Sequence, residues 1–146
     1  MGKAERVMAE RAYRKRLLRR VTASPLYHGG PAGITGFILP WCEAIMTNAA
    51  LADLARQIGV NCTPNGGNPR RVHVTQEREY AMYYAEHCAE AGEDAAVYEV
   101  RAIGRMGWIF APRQGGCSEI WCERAEIVRV VSNSACANRG HCILEK

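Results

Sequence analysis

Leu26-Tyr27-His28-Gly29-Gly30 follows Ser24-Pro25 and precedes Pro31. The residue before a proline is pushed out of the helical region, so the helical pattern upstream stops at Ser24. Leu26-Tyr27-His28 then reads as a short strand, and the Gly-Gly-Pro run stops it. A histidine at a strand end beside two glycines leaves its imidazole and the main chain open to close approach by a ligand.

Working outward, residues 3–20 read as a helix rich in Ala, Glu, Arg, Lys and Leu, with Val7, Met8, Leu17 and Leu18 giving a partial apolar stripe. Downstream, a short strand or turn is expected around Gly36-Phe37-Ile38-Leu39-Pro40. Residues 42–58 carry the helical repeat Ala49, Leu51, Leu54, Ala55 and Ile58. The run from Asn61 to Pro69 is dense in turn residues and reads as a loop. Strand-forming Arg71-Val72-His73-Val74-Thr75 leads into a helix at about 77–91, capped by Thr75 and closed by Gly92. Ala96-Val97-Tyr98-Glu99-Val100 alternates as a strand. A loop is expected from Gly104 to Gly116, then strands near 118–122 and 126–132. Many strands with interspersed helices predict an α+β fold.

The 146 residues suffice for one domain. Hydrophobic residues make up 48% and charged residues 23%, ordinary values for a soluble globular chain. No apolar run reaches the length of a membrane span, and none follows the basic N-terminus as a secretion signal would, so a soluble, cytoplasmic protein is expected. Residues 1–24 carry eight Lys/Arg against two Glu, a balance of +6; the net charge of +4 leaves −2 for the remainder. The basicity thus belongs to an N-terminal arm (1–24), which fits a nucleic-acid or acidic partner as well as a solvated helix. The domain proper is expected over 25–132, with a Cys-containing tail over 133–146. Seven cysteines, an odd number without a C-x-x-C, read as reduced thiols rather than a disulfide framework. Cys117-x₄-Cys122 and Cys136-x₄-His141-Cys142 lie outside the usual zinc spacings, so no metal is expected.

Two further segments carry chemistry. In Val72-His73-Val74-Thr75 the valines face one way, while His73 and Thr75 face the other. On the following helix Tyr80, Tyr84 and Cys88 share a face, bringing aromatic rings near His73. Such rings stack on flat cationic heterocycles; the same spacing also serves core packing. In Ser118-Glu119-Ile120-Trp121-Cys122-Glu123, alternation sets Glu119, Trp121 and Glu123 opposite Ile120 and Cys122. A carboxylate beside a ribose stabilises an oxocarbenium-like centre.

In order, Tyr27-His28-Gly29-Gly30, Val72-His73-Val74-Thr75 with its helix, Val97-Tyr98-Glu99-Val100 and the run from Cys122 to Val131 resemble the rifampin ADP-ribosyltransferase-like branch of the ADP-ribosyltransferase superfamily. The likeness covers about residues 25–132. It implies a pair of small β-sheets with NAD⁺ as substrate in the cleft between them. His28 would hydrogen-bond the adenosine ribose and help hold nicotinamide, with Gly29 offering main-chain hydrogen bonds to the carboxamide. The stacking tyrosine of the second motif falls at His73, a departure from the pattern. The second stacking aromatic maps to Tyr84, with Tyr80 one turn earlier, and Tyr27 and Thr75 complete the binding set. Glu119 is the expected acid, Glu123 the alternative.

The resemblance implies a mono-ADP-ribosyltransferase acting on an antibiotic-like small molecule, a protein or a nucleic acid. Two other functions stay open. RNA 2′-phosphotransferases share the fold, use His in both strand motifs and need several cleft arginines. A catalytically inactive NAD-binding or interaction module of a mobile element would instead work through the basic arm and Cys-rich tail.

Overall fold

The computed structural model describes residues 2–47, 49–59, 68–90, 94–111 and 118–133. Among them four helices and five strands follow in the order α1 (Lys3–Thr22), β1 (Leu26–Pro31), β2 (Phe37–Ile38), α2 (Trp41–Thr47), α3 (Ala49–Ile58), β3 (Val72–Val74), α4 (Arg78–Glu90), β4 (Ala95–Phe110) and β5 (Glu119–Asn133). The fold class is α+β. The tail beyond Asn133, Gly92 and most of the Asn61–Pro69 loop lie outside the described residues.

All strands join in one antiparallel sheet of order β1-β4-β5-β2, with β3 also pairing β5. The resemblance implies two small sheets; here the β4–β5 ladder links every strand. Tyr27 N–H donates to the Thr75 carbonyl at 2.7 Å, and Thr75 N–H to the Tyr27 carbonyl at 2.9 Å. Through this bridge the path β1-β4-β5-β3 returns to β1. The sheet therefore curls into a partly closed wall, and beyond the bridge β1 and β3 are free to part.

The β4–β5 pair corrects two expectations. Gly104 to Phe110 is strand, not loop, because Gly104 sits at φ +84° within the register shift between Ile103 and Met106. A glycine in the left-handed region absorbs the extra residue of a bulge, and the ladder resumes at Met106. Likewise 118–122 and 126–132 are parts of one strand. Ala125 is fully buried, and Phe37 and Ile38 pair with Glu126 and Ala125, so pairing continues through the Glu123-Arg124 stretch. The helix expected over 42–58 is seen as α2 and α3, on either side of residue 48, which lies outside the described residues.

Two apolar clusters follow from strand alternation. Leu26, Val72, Val74, Tyr98, Val100, Ile120 and Cys122 join one core, on which Leu17, Leu18 and Val21 of α1 pack. Ala95 and Val97, on the opposite face of β4, meet Ala81 and Ala85 of α4 in the other. Tyr98 is fully buried, yet its hydroxyl donates to the Pro31 carbonyl at 2.6 Å and accepts from Ile34 N–H at 3.2 Å. Such a ring contributes roughly 2–3 kcal/mol by burial, and its polar end is satisfied.

The basic arm is not separate from the domain. Its C-terminal half supplies Val21 to the core, and Trp108 Nε1–H donates to the Arg14 carbonyl at 3.1 Å. Its charged residues are exposed, with Glu5 in the first turn and Arg19 and Arg20 in the last, matching the helix dipole.

Candidate functional site

β1 and β3 diverge past the Tyr27–Thr75 bridge, and a cleft of about 980 Å³, open mouth included, fills the wedge. Its walls carry Tyr27, His28, Gly29, His73, Thr75, Tyr80, Tyr84 and Glu119, every residue expected to form the site. Residues from β1, β3, α4 and β5 thus meet in one place.

His28 shares a face of β1 with buried Leu26, so its ring turns inward. Its Nδ1 lies 2.7 Å from the His73 carbonyl oxygen. A carbonyl only accepts, so Nδ1 carries the proton and Nε2 keeps its lone pair. Burial holds the His28 pKa below 6.5, offsetting the opposing pull of the hydrogen bond to His73, and the nearby His73 ring lowers it further. His28 is thus a neutral hydrogen-bond acceptor at neutral pH. Gly30 keeps room for it: a Cβ there would come 3.0 Å from Nε2.

Gly29 has a structural duty of its own. A Cβ at Gly29 would overlap the Ala81 carbonyl oxygen, so only glycine lets α4 sit directly on β1. That seating brings Tyr80 and Tyr84 to the cleft. Their rings meet edge-on at 5.2 Å with hydroxyls 3.2 Å apart. Tyr83 is exposed and does not line the cleft.

Glu119 is only 3% exposed. Tyr80 O–H donates to its Oε2 at 3.3 Å. His73 Nδ1 stands 3.1 Å from Oε1, and among the described residues Oε1 accepts no hydrogen bond. Burial, and then the hydrogen bond to Tyr84 and the charge of Glu119, push the Tyr80 pKa far above its usual value. Tyr80 therefore remains a protonated donor. Thr75 is buried, and its hydroxyl is occupied by the protein: it donates to the Ser118 carbonyl at 2.7 Å and accepts from Glu77 N–H at 3.0 Å. Thr75 thus braces both the start of α4 and the residue preceding Glu119.

The alternative acid stands elsewhere. Glu123 pairs with Arg105 across the hairpin at 2.8 Å, and the hydrogen bonds from Arg105 hold its pKa below the usual range. It does not line the cleft.

Among the lining residues that were not anticipated, Trp41, Leu39 and Arg71 bear on the chemistry. Trp41 opens α2, and its indole N–H is buried with no partner among the described residues. Leu39 lies just before it. Arg71 stacks on Trp121, its guanidinium carbon 4.1 Å from the ring centroid. Arg71 immediately precedes β3, two residues before His73, whereas nothing in the periodicity marks Trp41.

Chemically, the cleft offers a buried carboxylate beside His73, a neutral imidazole acceptor, two aromatic rings and an indole donor that is unpartnered among the described residues. Among the described residues no group of three or more His, Cys, Asp or Glu is arranged to hold a metal ion, and no helix is long and apolar enough to cross a membrane. Compared with known proteins, the chain matches no family model, no curated protein and no solved structure.

Proposed function

We propose that the cleft binds NAD⁺ and that the protein is a mono-ADP-ribosyltransferase acting in the cytoplasm. The observation that carries this reading is the convergence of His28, His73, Glu119 and the Tyr80–Tyr84 pair, from four elements, around a buried carboxylate whose Oε1 stands beside His73 and accepts no hydrogen bond among the described residues. The tyrosine rings and the His73 imidazole suit a flat cationic nicotinamide. His28 Nε2 suits a ribose hydroxyl donor. Glu119 then lies where positive charge develops at the ribose carbon as its bond to nicotinamide lengthens. Nicotinamide leaves with the bonding electron pair, and an acceptor nucleophile forms the new bond to that carbon. The acceptor's proton passes to Glu119 or to water.

Labelled NAD⁺ incubated with the protein and a cell extract, followed by mass spectrometry, tests the reading and identifies the acceptor. Release of nicotinamide with label on an acceptor is expected; failure to release nicotinamide overturns it. RNA 2′-phosphotransfer draws support from His73 and from Arg71 at the cleft. However, Arg71 is the single Lys or Arg among the described lining residues, and that chemistry needs several. An inert interaction module predicts no heat on titration with NAD⁺.

A further inference from the structure

Arg71 lines the cleft, and the reading above gives it no task. It immediately precedes β3, two residues before His73 and on the side away from the Tyr27–Thr75 bridge. Its guanidinium carbon lies over the Trp121 ring, 4.1 Å from the centroid. Trp121 is itself fixed: it pairs with His73 across the ladder and presses on Gly107, where a Cβ would come 2.6 Å from the indole nitrogen. A guanidinium over a fixed ring is held in place by cation–π attraction while keeping its N–H donors. Among the described residues no carboxylate pairs with Arg71.

The cleft is therefore electrically polarised. At its inner end stand the Glu119 carboxylate and the tyrosine rings, and at its margin an uncompensated planar cation. A complementary ligand is cationic or neutral at one end and anionic at the other. Paired N–H donors in one plane match the oxygens of a phosphoryl group.

We infer that Arg71 is the anion subsite of this cleft and holds the diphosphate of a dinucleotide whose cationic ring lies against Tyr80 and Tyr84. The inference rests on the cleft reading above and adds what fixes the ligand's far end. It makes the phosphates, not the nicotinamide riboside alone, a source of affinity.

Binding of three probes, ADP, nicotinamide riboside and NAD⁺, is measured by calorimetry for the wild type, Arg71→Gln and Arg71→Lys, with melting temperatures as a folding control. In Arg71→Gln, affinity for ADP and NAD⁺ is expected to fall roughly tenfold or more, while that for the riboside changes less than about twofold. Arg71→Lys, which keeps the charge and loses the fork, should recover part of the loss. Wild-type ADP binding should weaken as salt rises. Equal losses for NAD⁺ and riboside would assign Arg71 a structural role and overturn the inference. So would unchanged NAD⁺ affinity, or a wild type that binds neither ADP nor NAD⁺. Arg71-dependent ADP binding without any riboside binding keeps the anion subsite and sinks the nicotinamide reading instead.

Discussion

Nδ1 of His28 donates a 2.7 Å hydrogen bond to the main-chain carbonyl of His73. This contact ties β1 to β3 just past their bridge, and it fixes which imidazole nitrogen faces the ligand. His28→Ala removes both the tie and the acceptor. NAD⁺ affinity is expected to fall at least about tenfold in titration calorimetry. Normal affinity in this variant would remove His28 from the binding set.

Burial of the same ring makes stability pH-dependent. The folded-state pKa of His28 is lowered below 6.5, so in the acid range the unfolded chain binds a proton that the folded one refuses. The stability is fully present above pH 6.5 and is lost as pH falls toward the folded value. Melting temperature measured from pH 7.5 to 5 should decline, and the decline should flatten in His28→Asn. Parallel curves for the two proteins would show that other groups set the acid limit.

Glu119→Gln keeps the side-chain shape and an oxygen for Tyr80 while removing the charge. Nicotinamide release is expected to drop about a hundredfold or more, with NAD⁺ affinity within a few-fold of wild type. Turnover equal to wild type would place the reacting charge elsewhere. Glu123→Gln, outside the cleft, should leave turnover unchanged.

Gly29→Ala tests the seat of α4. Its Cβ would overlap the Ala81 carbonyl oxygen, so the helix must shift or the chain must strain. Overpacking of this kind costs about 1–3 kcal/mol. A denaturant midpoint matching wild type would mean that α4 is more loosely seated than described.

Trp41→Phe should move binding and stability in opposite directions. The indole N–H is buried and has no partner among the described residues, so its removal relieves a desolvation cost, and melting temperature should hold or rise. A ligand that uses this donor should bind several-fold more weakly. Loss of stability with unchanged affinity would give Trp41 a packing role alone.

Local pattern carried much of the fold. The alternation of Val72-His73-Val74-Thr75 put the valines in the core and His73 on the cleft. The four-residue spacing of Tyr80 and Tyr84 gave their contact, because both signals depend only on neighbours along one element. Gly104 misled, since a glycine that permits a bulge and one that ends a strand look alike in sequence. Which acid enters the cleft was equally hidden. Glu119 and Glu123 share a face of β5, and tertiary contacts separate their environments: Tyr80 and His73 for the first, Arg105 across the bulged hairpin for the second. Trp41 reached the cleft through tertiary packing that no local repeat encodes.

The Tyr27–Thr75 bridge also bears on the order of assembly. β4 and β5 are adjacent in sequence and zip together at small loop-closure cost, whereas the bridge joins residues 48 positions apart. The hairpin can form first and offer its edges to the short strands; the wedge between β1 and β3 closes last. A closure made by two main-chain hydrogen bonds is also the cheapest part of the wall to reopen. Amide exchange at Tyr27 and Thr75 should therefore outpace exchange in the middle of the hairpin, and a bound dinucleotide spanning both strands would slow it most at those two positions.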